Sequence, residues 1–183
     1  MNKKRIKWIT QTAIFLAMLI AVQFLTSQLV PPPATQYVTG SIVNLLLAVS
    51  AVICGLSSGL TVALISPVLA KLVGIGPLWE IVPFVAVGNA ILVLLWYFIG
   101  IKKIQNFYIS YIIAAVSGAV LKFLFLFLSI TKFAVPIWLQ LPEKQAVTIS
   151  AMFSFPQLIT ALIGGALAAL ILPSLKKALK TEE

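Results

Sequence analysis

Residues 81–101 read IVPFVAVGNAILVLLWYFIGI and contain no charged side chain. An apolar run of about 20 residues is long enough to cross the hydrocarbon core of a bilayer as an α-helix. The whole chain has this character, because 61% of its 183 residues are hydrophobic and 9% are charged, whereas soluble domains carry about 25% charged residues. So few charges cannot cover a water-facing surface, and the composition predicts an integral membrane protein.

Further apolar runs on both sides of this segment predict an all-α bundle of six transmembrane helices in one domain of residues 1–183. The predicted helices are residues 8–29, 39–56, 60–73, 81–101, 107–130 and 147–172. Helix one ends at the prolines 31–33, which cannot continue a helix. The basic residues before helix one also allow a signal peptide, but the run is longer than a signal-peptide core and no small-residue cleavage site follows it.

The basic residues predict the orientation of this bundle. Cytoplasmic loops carry an excess of Lys and Arg, and the excess falls on the side of the two chain termini. The residues on that side are Lys3, Lys4, Arg5, Lys7, Lys102, Lys103, Lys176, Lys177 and Lys180, against Lys132 and Lys144 on the other. The sequence therefore predicts a multi-pass membrane protein with both termini in the cytoplasm.

The residue inventory excludes several kinds of chemistry. The chain has no His, one Cys (Cys54) and four acidic residues, Glu80, Glu143, Glu182 and Glu183. Without imidazoles or a second thiol, no His-based triad, thiolate metal site or disulfide can form. We therefore expect no catalytic residues, no metal and no cofactor. The net charge is +9. The basic residues that cause it lie mostly at the ends of the predicted helices, which indicates a role in membrane topology and not nucleic-acid binding.

Polar side chains from several predicted helices fall in the outer half of the bundle when it is oriented in this way. Intramembrane polar residues usually face a bundle interior or a cavity, so we predict one ligand pocket that is open to the outside. No comparable polar trail continues to the cytoplasmic face, which favours a binding protein over a channel. The candidate substrate-binding residues are Asn44, Lys71, Trp79, Asn89, Lys122, Trp138 and Gln157.

Each of these residues also has a structural interpretation. Asn44 and Asn89 can form hydrogen bonds between helices, as amides do in membrane bundles. Lys122 can pair with a backbone carbonyl, and Lys71 can extend its ammonium to the interface. The two tryptophans are also typical of the interfacial aromatic belt.

The charge of the predicted pocket indicates its ligand. The pocket holds up to two lysines, and Glu80 at its rim is the nearest acid. A desolvated ammonium is stabilised by an anion. We therefore expect a small amphipathic ligand that carries a carboxylate or polarised oxygens, and whose hydroxyl or amide groups are oriented by Asn and Gln amides.

Small residues recur at every fourth position of helix one, at Ala13, Ala17 and Ala21. This spacing places them on one face, where a second helix can approach closely. The face can dock a partner protein or pack within the same bundle.

A basic-ended, six-helix chain of this length with an alanine face on helix one resembles the substrate-binding S component of energy-coupling factor (ECF) vitamin transporters. Segments 39–77 and 83–90 also resemble members of that family. The resemblance implies capture of a vitamin on the outer side and docking of the alanine face onto a membrane scaffold, the T component, which two ATPase subunits drive. It also implies a pocket in the outer parts of helices four to six, closed by loops 30–38, 74–83 and 131–145.

The expected carboxylate makes pantothenate the best candidate substrate, because it also offers two hydroxyls and an amide. Hydroxymethylpyrimidine or a pyridoxine-type vitamin comes next, and riboflavin, folate, biotin and cobalamin stay open. A standalone secondary transporter is a rival function, although no predicted span holds an Asp or Glu for ion coupling. A membrane enzyme and an assembly subunit without a ligand are weaker alternatives.

Overall fold

A computed structural model of the chain describes residues 2–76, 78–102 and 106–180, and within these ranges all the regular structure is helical. The all-α prediction is thus confirmed. The main helices are α1 (Lys3–Leu29), α2 (Ala34–Val49), α3 (Leu56–Leu72), α4 (Val82–Phe98), α5 (Phe107–Leu126), α6 (Glu143–Met152) and α7 (Phe155–Lys180). Of the predicted features, Lys103, Glu182, Glu183 and the Pro77 part of loop 74–83 lie outside the described residues.

Three further helical segments extend these elements. Residues Ser50–Cys54 continue α2 as a π-helix, and Phe127–Leu139 continue α5 in the same form. A 3₁₀ turn, Trp79–Ile81, leads into α4. In a π-helix the hydrogen bonds span one more residue than in an α-helix, and such segments often occur at functional sites.

Five helical stretches are long and apolar enough to cross a membrane. They are Lys3–Leu29, Ala34–Cys54, Trp79–Phe98, Phe107–Leu139 and Glu143–Leu179, whereas the apolar helix Leu56–Leu72 is shorter. Five of the expected spans are therefore present by length and composition. The sixth crossing and the cytoplasmic termini stay predictions.

The helix boundaries differ from the hydropathy-based ones at three places. Helix α2 begins at Ala34, directly after Pro33, so that about half of the expected loop 30–38 is helical. The α5 stretch runs to Leu139, so that most of the expected loop 131–145 is helical too. The predicted helix 147–172 is divided into α6 and α7 at residues 153 and 154, because Pro156 disfavours a continuous helix through the residues before it.

The start of α1, the end of the α2 stretch, the start of α5 and the end of α7 line one cavity. These four helix ends therefore lie at one end of the bundle, which we call the terminal end. The connections α1–α2, α3–α4 and α5–α6 lie at the other, which we call the distal end. Contacts agree with this arrangement, because Phe84 and Trp138 meet at the distal end and Lys176 lies over Phe107 at the terminal end.

Two neighbouring glycines bring α7 against both α2 and α5. A Cβ atom at Gly164 would lie 2.7 Å from the Asn44 Cβ atom of α2, and one at Gly165 would lie 2.7 Å from the Ala115 Cβ atom of α5. Such close backbone approach is how small residues stabilise helix pairs in membranes. The glycine pair therefore fixes the distance between three helices near the centre of the bundle.

Apolar side chains form two clusters. The larger one lies in the body of the bundle and includes Leu47, Leu92 and Trp96, all almost fully buried. The second, which we call the distal cluster, joins the π-helical segment to α6 and to the start of α4. Its buried members are Ile81, Leu126, Ile130, Val135, Ile149 and Phe153.

Helix α1 is the least buried of the membrane-length helices. One side of it contacts the bundle through Thr12, whose hydroxyl donates to the Ser58 hydroxyl at 3.0 Å, and through the buried Leu19. The opposite side carries Ala13, Ala17 and Ala21, which are all exposed. Among the described residues, no helix therefore covers the alanine face.

Replacing Gly164 by Ala should destabilise the bundle. The added methyl group would fall 2.5 Å from the Ser41 carbonyl oxygen and 2.8 Å from the Leu45 backbone nitrogen, and overpacking of this kind costs about 1–3 kcal/mol. Gly118→Ala is the matched control, because its methyl group would meet its nearest neighbour, Leu92, at an ordinary 3.5 Å. Thermal unfolding in detergent measures both variants, and a Gly164→Ala protein as stable as the wild type would contradict this packing.

Candidate ligand-binding site

Three polar side chains from three helices meet in the middle of the bundle. The Lys122 ammonium of α5 donates to the Asn44 Oδ1 atom of α2 at 2.6 Å and to the Asn89 Oδ1 atom of α4 at 2.7 Å. All three residues are buried, with exposed fractions of 1% for Asn44 and 3% for each of the others. We call these residues the polar trio. The structure thus brings together three of the residues that the sequence nominated on separate helices.

Asn44 and Lys122 lie further from the distal ends of their helices than the sequence predicts. Asn44 is midway along the stretch 34–54, Asn89 is midway along 79–98, and Lys122 is near the middle of 107–139. The expectation was an outer position, about five residues into helix two for Asn44. That depth was wrong because α2 begins at Ala34 and α5 continues as a π-helix to Leu139.

A fourth polar residue, Thr160 of α7, extends the network. The Asn44 Nδ2 group donates to the Thr160 hydroxyl oxygen at 3.4 Å, and that hydroxyl donates to the Gln157 carbonyl oxygen at 3.2 Å. Thr160 is buried and was not among the predicted site residues. Its only signal in the sequence is its position one helical turn from Gln157.

The charge of Lys122 has no acidic partner among the described residues. The acidic side chains in those ranges are Glu80 and Glu143, and both are exposed at the distal end. An ammonium has three N–H donors, and the two asparagine oxygens use two of them. A charge at the centre of a bilayer costs about 2.5–3.5 kcal/mol on insertion scales, and an anion that accepted the third donor would offset part of this cost.

Asn89 offers a second unused donor next to the ammonium. Its amide oxygen accepts from Lys122, and its NH₂ group forms no hydrogen bond with the described part of the chain. Two donors beside one positive charge suit a ligand group with two acceptor oxygens, such as a carboxylate.

The other predicted site residues lie nearer the distal end. Trp79 and Trp138 are about half exposed, and Trp138 packs edge-on against Phe84 with ring centroids 6.0 Å apart. Lys71 is partly buried in the last turn of α3. The Gln157 side chain donates to the Met152 carbonyl oxygen at 3.2 Å, where α6 meets α7.

None of these four side chains forms a hydrogen bond or ring contact with the polar trio in the described ranges. Only the Gln157 backbone reaches it, through Thr160. The sequence therefore predicted one pocket from residues that the structure divides into two groups. The polar trio and Thr160 form a central network, and the other predicted residues lie nearer the distal end.

The polar trio is enclosed, whereas the sequence predicted a pocket open to the outside. Leu126, one turn beyond Lys122 on α5, is fully buried and lies against α4, where a Cβ atom at Gly88 would approach it to 2.9 Å. Leu126 belongs to the distal cluster, which therefore separates the trio from the distal surface.

The family described as "ECF transporter, substrate-specific component" matches residues 11–175. This chain belongs to that family. It is an S component of an ECF transporter, and its apolar helices agree with the multi-pass membrane character of the family.

Neither the search of curated proteins nor the search of solved structures finds a significant match. The family match includes every helix from the second half of α1 to most of α7, and with them all four residues of the central network. The family description assigns the chain to the substrate-specific component of the transporter.

A double-mutant cycle between Lys122 and Asn89 tests whether the amide solvates a buried charge in this S component. Asn89→Leu removes one of the two hydrogen-bond partners of the ammonium, and a hydrogen bond to a charged group contributes about 1.5–3 kcal/mol. Lys122→Met removes the charge itself and should cost less. Adding Lys122→Met to Asn89→Leu should therefore restore stability.

Thermal unfolding in detergent without ligand measures all three variants of this cycle. Asn44→Leu, tested alone and with Lys122→Met, provides the second arm, because Asn44 accepts the other hydrogen bond. Strictly additive losses in both arms would show that neither amide is coupled to the ammonium.

Proposed function

We propose that this S component binds a small vitamin that carries a carboxylate, with pantothenate as the best fit, and delivers it to the ECF module for ATP-driven uptake. The observation that carries the proposal is the Lys122 ammonium, which is buried beside two amides and has no carboxylate partner among the described residues. The ligand carboxylate would accept from the third ammonium donor and from the Asn89 NH₂ group.

The remaining groups of pantothenate match the surroundings of the polar trio. Its two hydroxyls and its amide need donors and acceptors, and Thr160 and Gln157 supply both from the first turns of α7. The vitamin would occupy the space now filled by the distal cluster, with Trp79, Trp138 and Lys71 at its rim. Binding therefore requires the segment Phe127–Leu139 and α6 to move aside and then close over the ligand.

The proposed direction of transport follows from the predicted topology. With both termini in the cytoplasm, the distal end faces the extracellular side, and the polar trio lies beneath it. Buried apolar residues, among them Leu47, Leu92 and Trp96, lie on the terminal side of the trio. The vitamin is therefore released into the cytoplasm by reorientation of the whole bundle and not through an internal gate.

The exposed alanine face supports docking to the membrane scaffold. Ala13, Ala17 and Ala21 are exposed on the least buried membrane-length helix. Ala17 and Ala21 also line an apolar groove of about 640 Å³ between α1 and the end of α3, together with Leu69 and Leu72. A T-component helix placed there would approach the α1 backbone closely.

Substitution of Lys122 should separate ligand binding from stability. Lys122→Met should weaken pantothenate binding about 30-fold or more, because loss of one partner of a buried charge pair costs about 2–5 kcal/mol. Lys102→Met is the matched control, since Lys102 is an exposed lysine at the terminal end, away from the polar trio. Titration calorimetry of the purified protein measures both.

The same titration also tests the choice of vitamin. Hydroxymethylpyrimidine, pyridoxine, riboflavin, folate, biotin and cobalamin form the comparison panel. Tight binding of an uncharged vitamin with no effect of Lys122→Met would contradict the proposed ligand chemistry.

A bulky residue on the alanine face should block transport without affecting capture. Ala17→Trp should abolish ATP-dependent uptake in cells that express the T component and both ATPases, and should leave vitamin binding in detergent unchanged. Ile112→Trp is the control, because Ile112 is an exposed apolar residue on α5, away from this face. Loss of binding in Ala17→Trp would mean that the face is internal, and uptake without the T component and ATPases would favour a secondary transporter.

A further inference from the structure

A second cavity lies at the terminal end of the bundle, away from the polar trio. Its volume is about 1110 Å³, and it is formed by the start of α1, the end of the α2 stretch, the start of α5 and the end of α7. The polar residues that line it are Lys7, Gln11, Asn106, Tyr111, Lys176 and Lys177. No carboxylate is present among its described lining residues, so that the wall is strongly positive.

Aromatic rings hold one of these charges in place. The Lys176 ammonium lies 5.0 Å from the centre of the Phe107 ring and 5.5 Å from that of Tyr111. Cation–π contacts of this kind attract an ammonium but leave its N–H donors available for hydrogen bonds. Lys176 therefore presents a positioned cation to the cavity from α7, while Lys7 adds a second from α1.

A buried hydroxyl beside Lys176 has no partner. Tyr111 is fully buried, and its hydroxyl forms no hydrogen bond with any residue in the described ranges. A buried tyrosine hydroxyl normally finds a partner. Because Tyr111 lines the cavity, a bound ligand with acceptor oxygens would supply that partner.

The start of α5 adds to the positive potential of the cavity. Asn106 caps the helix by accepting from the Ile109 backbone N–H at 2.9 Å, and both Asn106 and Phe107 line the cavity. The first N–H groups of a helix carry a partial positive charge. Two lysines, a free hydroxyl donor and a helix start therefore converge on the same space.

We propose that this cavity binds a phosphate-bearing anion, and that its source is the headgroup of an anionic phospholipid. A phosphate offers several oxygens to the Lys7 and Lys176 ammonium groups and to the Tyr111 hydroxyl. Basic pockets between transmembrane helices recognise such headgroups. The proposed topology places the cavity in the cytoplasmic leaflet, where anionic lipids are available.

The rim of the cavity favours a lipid over a free phosphate compound. Ile101, Tyr108 and Leu179 line it and are exposed apolar or aromatic side chains. They continue the lipid-facing surface of the bundle, so that acyl chains can leave the cavity along them. A soluble phosphate ester would bind the cations but gain nothing from this surface.

Native mass spectrometry of the full chain in detergent tests the proposal with phosphatidylglycerol, phosphatidylcholine and glycerol 3-phosphate as probes. Phosphatidylglycerol should be retained at least tenfold more strongly than phosphatidylcholine. Lys176→Gln should lower its affinity about tenfold. Lys132→Gln is the control, because it removes a lysine that also lies over an aromatic ring, at 5.4 Å, but at the distal end.

Tyr111→Phe provides a second variant that removes only the hydroxyl. In lipid-free detergent its melting temperature should equal or exceed that of the wild type, because an unpaired buried hydroxyl is lost. The rise in melting temperature that phosphatidylglycerol produces should be smaller in Tyr111→Phe than in the wild type.

Several outcomes would overturn the proposal. The first is equal retention of phosphatidylglycerol and phosphatidylcholine. The second is an equal loss of phosphatidylglycerol affinity in Lys132→Gln and Lys176→Gln. The third is a rise in melting temperature with phosphatidylglycerol that is the same in Tyr111→Phe as in the wild type. Binding of glycerol 3-phosphate as tight as that of the lipid would overturn the lipid source. Vitamin affinity should be unchanged in Lys176→Gln, so that failure of this proposal is distinguishable from failure of the vitamin-binding function.

Discussion

A lysine in the middle of a membrane bundle must be solvated by the protein, and in this S component two asparagine oxygens do so. Asn44, Asn89 and Lys122 come from three helices, so that the hydrogen bonds at 2.6 and 2.7 Å require α2, α4 and α5 to meet at one depth. The glycine pair of α7 permits this convergence, because Gly164 lies against α2 beside Asn44 and Gly165 lies against α5. Packing and charge solvation therefore depend on each other.

The two ends of the bundle have different chemistry. Toward the distal end, the polar trio is covered by an apolar cluster that includes a π-helical segment and a short helix, both adjacent to the connections of the chain. Toward the terminal end, close-packed apolar residues separate the trio from a cavity lined by lysines and aromatic rings. This asymmetry suits a protein that captures an anion at one end and moves as one body.

Much of the fold follows from the sequence because hydropathy reports directly on the length of an apolar helix. The helix boundaries do not follow from hydropathy. Pro33 is compatible with a helix start, and the polar residues at the starts of α2 and α6 are helical although hydropathy assigns them to loops. The break between α6 and α7 depends on the local effect of Pro156, which a hydropathy window averages out. The π-helical continuation of α5 through Pro136 also leaves no hydropathy signal.

The candidate site could be predicted in part. Intramembrane Asn and Lys are costly unless they meet, and this cost is why Asn44, Asn89 and Lys122 were identifiable. Thr160 was missed because a threonine in an apolar helix commonly bonds to its own backbone, as Thr160 does to the Gln157 carbonyl. The distal residues Lys71, Trp79 and Trp138 depend on the conformation of connections, which neither periodicity nor hydropathy determines.

An experimental structure of the purified S component with its bound vitamin tests the central claim most directly. The account predicts a ligand carboxylate oxygen within about 2.7–2.9 Å of the Lys122 Nζ atom, the usual length of a charge-assisted hydrogen bond, with Asn44 and Asn89 still in contact with the ammonium. A vitamin bound elsewhere, with the Lys122 ammonium contacting only the two asparagine oxygens, would contradict it.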